Sequence, residues 1–340
     1  MNITDLHTWR EGQQLAIRNC ILPLSFDSHK GSSGRVGVLG GSAQYTGAPY
    51  YAATASLKAG ADLSYIFCAE EACVPIKSYS PELMVAPVYS ATEFDTYLQD
   101  NQEGEEKCKD NDEKDKLVDA MVEKVTSKID NLHALVVGPG MGRCPLVCEA
   151  TAKIIEYAKS KGLALILDAD ALWMISQPKY RSLFQDYTKA PVILTPNVVE
   201  YKRLLNNEEE DSSGAPSPKT LLQHTTIVRK GRHDSIVQND KEIISCQEEG
   251  EKKRSGGIGD ILSGTLGTLV AWHVIQSSSH DESSEQLLEP SERLALACWT
   301  GCCFVKHATK LAFLDKKRSM TAPDILEELG PAVNEMTKED

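Results

Sequence analysis

Short apolar runs that end in turn residues recur along the 340-residue chain. They are VGVLGG at residues 36–41, ALVVGPG at 134–140, LALILDAD at 163–170 and PVILTPN at 191–197. A fifth, TTIVRKGRHD, occupies 225–234. Stretches of helical character follow them, for example at 50–60 and 145–161. Continuous apolar runs alternating with helices predict an α/β fold whose mainly parallel sheet is covered on both faces. In such sheets ligands gather at the carboxyl ends of the strands. Unusual residues stand at those ends: Gly40, Gly41 and Ser42; Gly138, Gly140 and Gly142; Asp168 and Asp170; Thr195, Asn197 and Glu200; Lys230, Gly231 and Asp234. Five strand ends are thus expected to line one crevice.

The segment KRSGGIGDILSG, residues 253–264, joins a glycine turn, a carboxylate and the start of an apolar helix. Gly256, Gly257 and Gly259 can adopt positive φ and let several N–H groups converge where a helix starts near Asp260, which makes an anion site. Beyond it Ile261, Leu262, Leu266 and Leu269 fall at helical spacing, while Ser263, Gly264 and Gly267 allow close packing. A carboxylate beside an anion site repels phosphate unless it has work to do. The natural work is to take a proton from an attacking hydroxyl during phosphoryl transfer. The alternative is that Asp260 only caps its helix.

Other strand ends are more ambiguous. Asn197 and Glu200, three apart in TPNVVE, can hold hydrated Mg²⁺ or orient phosphate, or can simply start a helix. Alternation along an extended chain would send Asp168 and Asp170 to the same side, toward a metal through water or toward ribose hydroxyls. A turn role for one of them is the other reading. Lys230-Gly231-Arg232 offers positive charge to a triphosphate, or forms a hairpin turn with exposed basic residues. GPGMG at 138–142 lacks the lysine and hydroxyl of a P-loop. No Ser-His-Asp arrangement has recognisable spacing.

Composition narrows the classes. A formal charge of -13 argues against nucleic acid or an anionic membrane as partner. No run of about 18 apolar residues suggests a membrane span, and MNITDLHTWREGQQL lacks a secretory h-region, so the cytoplasm is the expected location. The ten cysteines show no CxxC or Cys/His zinc spacing and are expected to be buried thiols. Polar stretches near 99–116, 206–219 and 277–293 are expected to be surface insertions of a single domain spanning 1–340.

With these motifs in view, the chain resembles the ATP-dependent NAD(P)H-hydrate dehydratases over about residues 30–329. The resemblance rests on HKGSSGRVGVLGGSAQYTGAPYYAA, GADLSYIFC, SPELMV, VVGPGMGR, LDADAL, TPNVVEYKRL, KGRHD and SGGIGDILSG in that order. It implies a ribokinase-like three-layer α/β/α sandwich. It also implies an enzyme that uses ATP with Mg²⁺ to phosphorylate the ring hydroxyl of the S epimer of hydrated NADH or NADPH, loss of phosphate then restoring the dinucleotide.

By the same resemblance Asp260 is the base and Gly256, Gly257, Ile258 and Gly259 form the anion hole. Lys230, Gly231, Arg232, His233 and Asp234, with Ser255 and the glycine turn, contact ATP. Gly142 and the segment Asn197, Val198, Val199, Glu200, Tyr201, Lys202 and Arg203 contact the hydrated dinucleotide together with Asp260. Asn197 and Glu200 are the candidate metal residues, through water. Epimerisation of the R form falls to a separate epimerase, and apolar faces and sheet edges permit a homo-oligomer. The rival readings are a ribokinase-like kinase for a small alcohol of the hydroxyethylthiazole or hydroxymethylpyrimidine type, and a nucleotide-sensing protein without chemistry.

Overall fold

The computed structural model describes residues 2–101, 111–184, 187–206, 223–278 and 288–338. Nine strands make one sheet: β1 (Arg35–Leu39), β2 (Leu63–Ala69), β3 (Met84–Tyr89), β4 (Ala134–Val137), β5 (Ala164–Leu167), β6 (Val192–Leu194), β7 (Thr226–Arg229), β8 (Asp234–Gln238) and β9 (Lys241–Cys246). The helices are α1 (Trp9–Cys20), α2 (Gly47–Lys58), α3 (Glu70–Tyr79), α4 (Ala91–Asp100), α5 (Asn111–Ile129), α6 (Pro145–Lys161), α7 (Ala169–Ser176), α8 (Val198–Asn206), α9 (Ile258–Ser278), α10 (Pro290–Lys316) and α11 (Ala322–Met336).

The sheet order is β3-β2-β1-β4-β5-β6-β7-β8-β9. β1 to β7 are parallel, and β8 and β9 fold back antiparallel. All five apolar runs of the sequence contain strands of this sheet, as expected. Every residue of β4, β5 and β6 is buried, which is why these strands read as unbroken apolar runs rather than alternating ones. Helices α2, α9, α10 and α11 pack on one another, with α9 crossing β1, β4 and β5 and α10 covering β8 and β9. Helices α5 and α6 pack together, and α5 lies on β3. The result is a three-layer α/β/α sandwich. After β1 the chain builds outward through β2 and β3, then returns to add β4 on the other side of β1. That reversal opens a crevice above the ends of β1 and β4, the usual ligand position in such sheets.

Helix α9 is the centre of one layer, and its residues 261–273 are all buried. It begins at Ile258, two residues before the start expected from sequence, so Asp260 lies inside the first turn instead of capping it. Gly264 lets α9 lie directly on α2, since a Cβ there would fall 1.9 Å from the Ala52 carbonyl oxygen. By length and composition α9 is apolar enough to cross a membrane, which corrects the expectation that no such segment exists. Its residues are spent on the protein core.

The polar stretches fall partly outside the described residues, at 102–110, 207–222 and 279–287, and so does their expected status as insertions. Their described flanks belong to helix ends: α4 closes at Asp100, α5 opens at Asn111, α9 closes at Ser278 and α10 opens at Pro290. The nine described cysteines are free thiols and eight are buried, as expected.

Candidate active site

A buried ion pair lies beneath the crevice. Asp168 follows β5 and is only 2% exposed. Its Oδ1 accepts from Lys230 Nζ at 2.7 Å, and from Thr195 Oγ1 at 2.7 Å. Burial works against the Lys230 ammonium, but the carboxylates of Asp168 and Glu200 outweigh it and raise its pKa above the ordinary lysine value. Asp170 goes elsewhere. The strand ends at Leu167 and α7 starts at Ala169, so strand alternation does not govern the pair; both carboxylates act on Asp260 but take different partners. The Asp170 carboxylate instead accepts from the Gly142 N–H at 2.9 Å and from Arg143 Nε at 3.3 Å, which ties the glycine turn after β4 to α7.

Above this pair stands the first turn of α9. Gly257 holds φ at +94°, where a side chain would be strained and its Cβ would meet Tyr51 and Ala322. Gly256 and Gly259 do not share the positive φ that the sequence allowed them. The N–H groups at the start of a helix have no partner within it, and they face outward with the positive end of the helix dipole. Gly259 brings the turn down onto the ion pair: a Cβ there would lie 3.3 Å from Lys230 Nζ and 4.0 Å from Asp168 Oδ2.

Asp260 is therefore half-buried among carboxylates. Burial first, then the charge of Asp168, push its pKa up to about 7, with Asp170 and Glu200 adding to the rise and Lys230 opposing it. A carboxyl that titrates near neutrality can both hold and release a proton at working pH, which suits a general base.

Cavities lie on either side of this acid. One, of about 690 Å³, includes Asp260, Asp170, Gly142 and Ser42 in its wall and extends to Tyr89 and Phe94. The other side holds a recess of about 120 Å³ bounded by Lys230, Gly231, Asp234, Ile258 and Gly259. A wider groove of about 480 Å³ shares Gly250, Glu251, Arg254 and Lys306 with that recess and adds Arg232, His233 and Lys310. One space thus lies over the β1, β3, β4 and β5 ends and the other over β7 to β9, with Asp260 between them.

A profile of the family described as NAD(P)H-hydrate dehydratase matches residues 36–331. The chain belongs to the NAD(P)H-hydrate dehydratase family. The ATP-dependent (S)-NAD(P)H-hydrate dehydratase of Rattus norvegicus is 36% identical to it over 327 residues, covering 94% of this chain and 84% of that protein. The one from Schizosaccharomyces pombe is 36% identical over 328 residues, covering 95% and 93%. Among solved structures, a ribokinase-like superfamily protein from Enterococcus faecalis superposes with a TM-score of 0.64 at 20% identity, over 96% of this chain and 95% of that one. An ADP/ATP-dependent NAD(P)H-hydrate dehydratase from Bacillus subtilis, co-crystallised with ATP and Mg²⁺, gives 0.59 at 20% identity over 98% and 99%. These two structures establish the ribokinase-like fold expected from the motifs.

Within this family frame, the motif residues divide. Asp260, Ile258 and Gly259 of the glycine turn, Gly142 and KGRHD line the cavities on the two sides of the acid, while Gly256 and Gly257 are not among the lining residues. KGRHD is at once a hairpin turn and a cavity wall: the Gly231 N–H donates to Asp234 Oδ1 at 2.8 Å, and Lys306 Nζ reaches Asp234 Oδ2 at 3.3 Å. The segment 197–203 borders neither cavity. Asn197 Oδ1 accepts from the N–H groups of Val199 and Glu200, each at 2.9 Å, and Glu200 Oε2 accepts from the Asn197 N–H at 2.8 Å. Both side chains thus make the helix-start arrangement that their spacing also allowed. Val198 and Val199 are 53% and 66% exposed, Tyr201 lies under the Arg229 guanidinium, Lys202 is exposed and Arg203 half-buried. Ser255 is half-buried ahead of the turn.

Sequence reasoning missed Tyr51, Arg143, Lys306 and Lys310. Tyr51 packs against Gly257, and burial followed by the nearby Asp260 charge raises its pKa. Lys306 and Lys310 come from α10, about 75 residues beyond KGRHD, and only the packing of α10 on β8 and β9 brings them to the groove.

Proposed function

We propose that this chain is an ATP-dependent dehydratase for the S epimer of hydrated NADH or NADPH, giving the reduced dinucleotide, ADP and phosphate. One observation carries the reading: Asp260, with a pKa near 7, stands between a large cavity and a basic groove. The hydrated dinucleotide fills the first and ATP the second. Asp260 takes the proton of the ring hydroxyl as its oxygen attacks the terminal phosphorus, and ADP leaves with the electrons of the broken P–O bond. The N–H groups at the start of α9 hold the transferring phosphoryl oxygens, and Lys230 lends positive charge below. Phosphate then departs with the carbon–oxygen bond pair while the neighbouring carbon loses a proton, and the ring double bond returns. The hydroxyl alone is a poor leaving group; phosphorylation makes departure feasible.

Mg²⁺ belongs to the same reading. No group of three or more His, Cys, Asp or Glu side chains among the described residues forms a metal cage, which fits a cation held mainly by triphosphate oxygens and water. Glu200, whose charge acts on Lys230 and which gives Oε2 to its own helix, is the residue to reach it through water, since the single Asn197 oxygen already accepts two N–H groups. Bound there, Mg²⁺ would neutralise charge on the phosphates. Specificity for one epimer leaves the other to a separate epimerase.

The test is recovery of the near-ultraviolet NADH absorbance when purified protein, ATP and Mg²⁺ are mixed with the S hydrate. Absent recovery, together with a stable phosphoester formed from a thiazole or pyrimidine alcohol, would establish the kinase reading instead.

A further inference from the structure

The larger cavity has two distinct ends. At one stand Asp260, Asp170 and the turn that carries Gly142 and Arg143; at the other, Tyr89 at the end of β3 and Phe94 and Asp95 on the opening turns of α4. Electrostatics separates them in the same way. The carboxylates that act on Asp260 include Asp168, Asp170 and Glu200, whereas Asp95 acts on Tyr89 and Cys144. If the chain is the dehydratase argued above, on which this inference rests, the hydrated nicotinamide must lie against Asp260, where its hydroxyl loses a proton. The pyrophosphate then passes Gly142 and Arg143, and the adenosine reaches the α4 end. There Tyr89 and Phe94, their rings 5.0 Å apart and inclined by 33°, are largely buried and back an apolar stretch of the wall that also includes Ala91 and Met141, against which a purine can lie.

We propose that Asp95 is a specificity residue that makes this enzyme prefer hydrated NADH to hydrated NADPH. The two substrates differ by one phosphate on the adenosine ribose, which carries nearly two negative charges at neutral pH. A carboxylate accepts hydrogen bonds from ribose hydroxyls, as the acidic residue of dinucleotide-binding folds does, and repels a phosphate in their place. The wall offers that phosphate no compensating charge. Among the described residues that line the cavity Arg143 is the sole Lys or Arg, and it is held at the pyrophosphate turn by Asp170 at 3.3 Å and by the Trp173 ring at 4.9 Å. Asp95 itself is exposed on α4, so the fold does not need its charge and water screens part of the repulsion.

The experiment measures kcat/KM for both S hydrates with wild type, Asp95→Asn and Asp95→Arg, and the affinities of NADH and NADPH for the same proteins by calorimetry. At an exposed site the preference for hydrated NADH is expected to be about tenfold. Asp95→Asn should remove most of it and Asp95→Arg should reverse it, with the product affinities moving in parallel. Equal kcat/KM for the two hydrates in wild type, or a ratio unmoved by Asp95→Arg, overturns the proposal. If neither hydrate is turned over, the dehydratase reading fails by itself. The NADH to NADPH affinity ratio and its response to Asp95→Arg then decide whether the subsite discriminates.

Discussion

Lys230 Nζ lies 2.7 Å from Asp168 Oδ1, a bond between residues 62 apart in sequence that joins the ends of β5 and β7 under the reacting acid. Removing the lysine strands a buried carboxylate. Lys230→Met is expected to cost about 3–5 kcal/mol of stability, measured by denaturant unfolding, and Asp168→Asn in the same chain should recover much of it. Wild-type stability in the single variant would show that the pair is not the internal charge that burial makes it.

Rate should follow the ionisation of Asp260. The base must be deprotonated, so kcat/KM is expected to rise with pH through about 7 and then level. Lys230 lowers that pKa and Asp168 raises it, so Lys230→Met should move the profile to higher pH and Asp168→Asn to lower pH. Asp260→Asn should lose turnover while keeping nucleotide affinity within a few-fold, because the base acts chiefly in the transition state. A pH-independent rate across this range would exclude Asp260 as the proton acceptor.

The same carboxyl has a thermodynamic signature. Its folded pKa of about 7 exceeds that of an unfolded aspartate, so the folded protein holds the extra proton between about pH 4 and 7. Stability from this group is present at low pH and is lost as pH rises through 7. Asp260→Asn is therefore expected to be more stable than wild type at pH 8, by on the order of 2–4 kcal/mol, and closer to it near pH 4. Thermal unfolding at the two pH values checks both the sign and the trend.

Neighbouring glycines should respond differently to one methyl group. A Cβ on Gly256 meets nothing within 4 Å, whereas one on Gly257 presses on Tyr51 and Ala322 in a strained backbone. Gly256→Ala is expected to fold normally and lose turnover, since the open space is where phosphoryl oxygens approach. Gly257→Ala should lose about 1–3 kcal/mol of stability as well. Full activity in Gly256→Ala would move the anion site elsewhere.

Much of this arrangement was legible in the chain. Strands β1, β4, β5, β6 and β7 are buried on both faces or nearly so, and that burial writes itself as apolar runs ending in glycine, aspartate and asparagine. Asp260 was visible because three glycines and an apolar helix flank it. The different partners of Asp168 and Asp170 were not legible because the helix begins between them at Ala169, whose φ of +48° turns the chain sharply and leaves no mark in residue type. Lys306 escaped because a lysine on a long helix reads as a solvated face until α10 is laid on β8 and β9. The Asn197–Glu200 pair stayed two-sided for a different reason: the same two groups start a helix and suit a hydrated cation, and spacing alone does not separate the roles.

The close seat of Gly264 on Ala52 means that the bearer of the reactive acid is also the keystone of one helical layer. Turnover and folding then share a fate in this protein: a bulky replacement four residues along the helix, well away from any ligand, would tilt the carboxyl out of line and be felt first as lost chemistry.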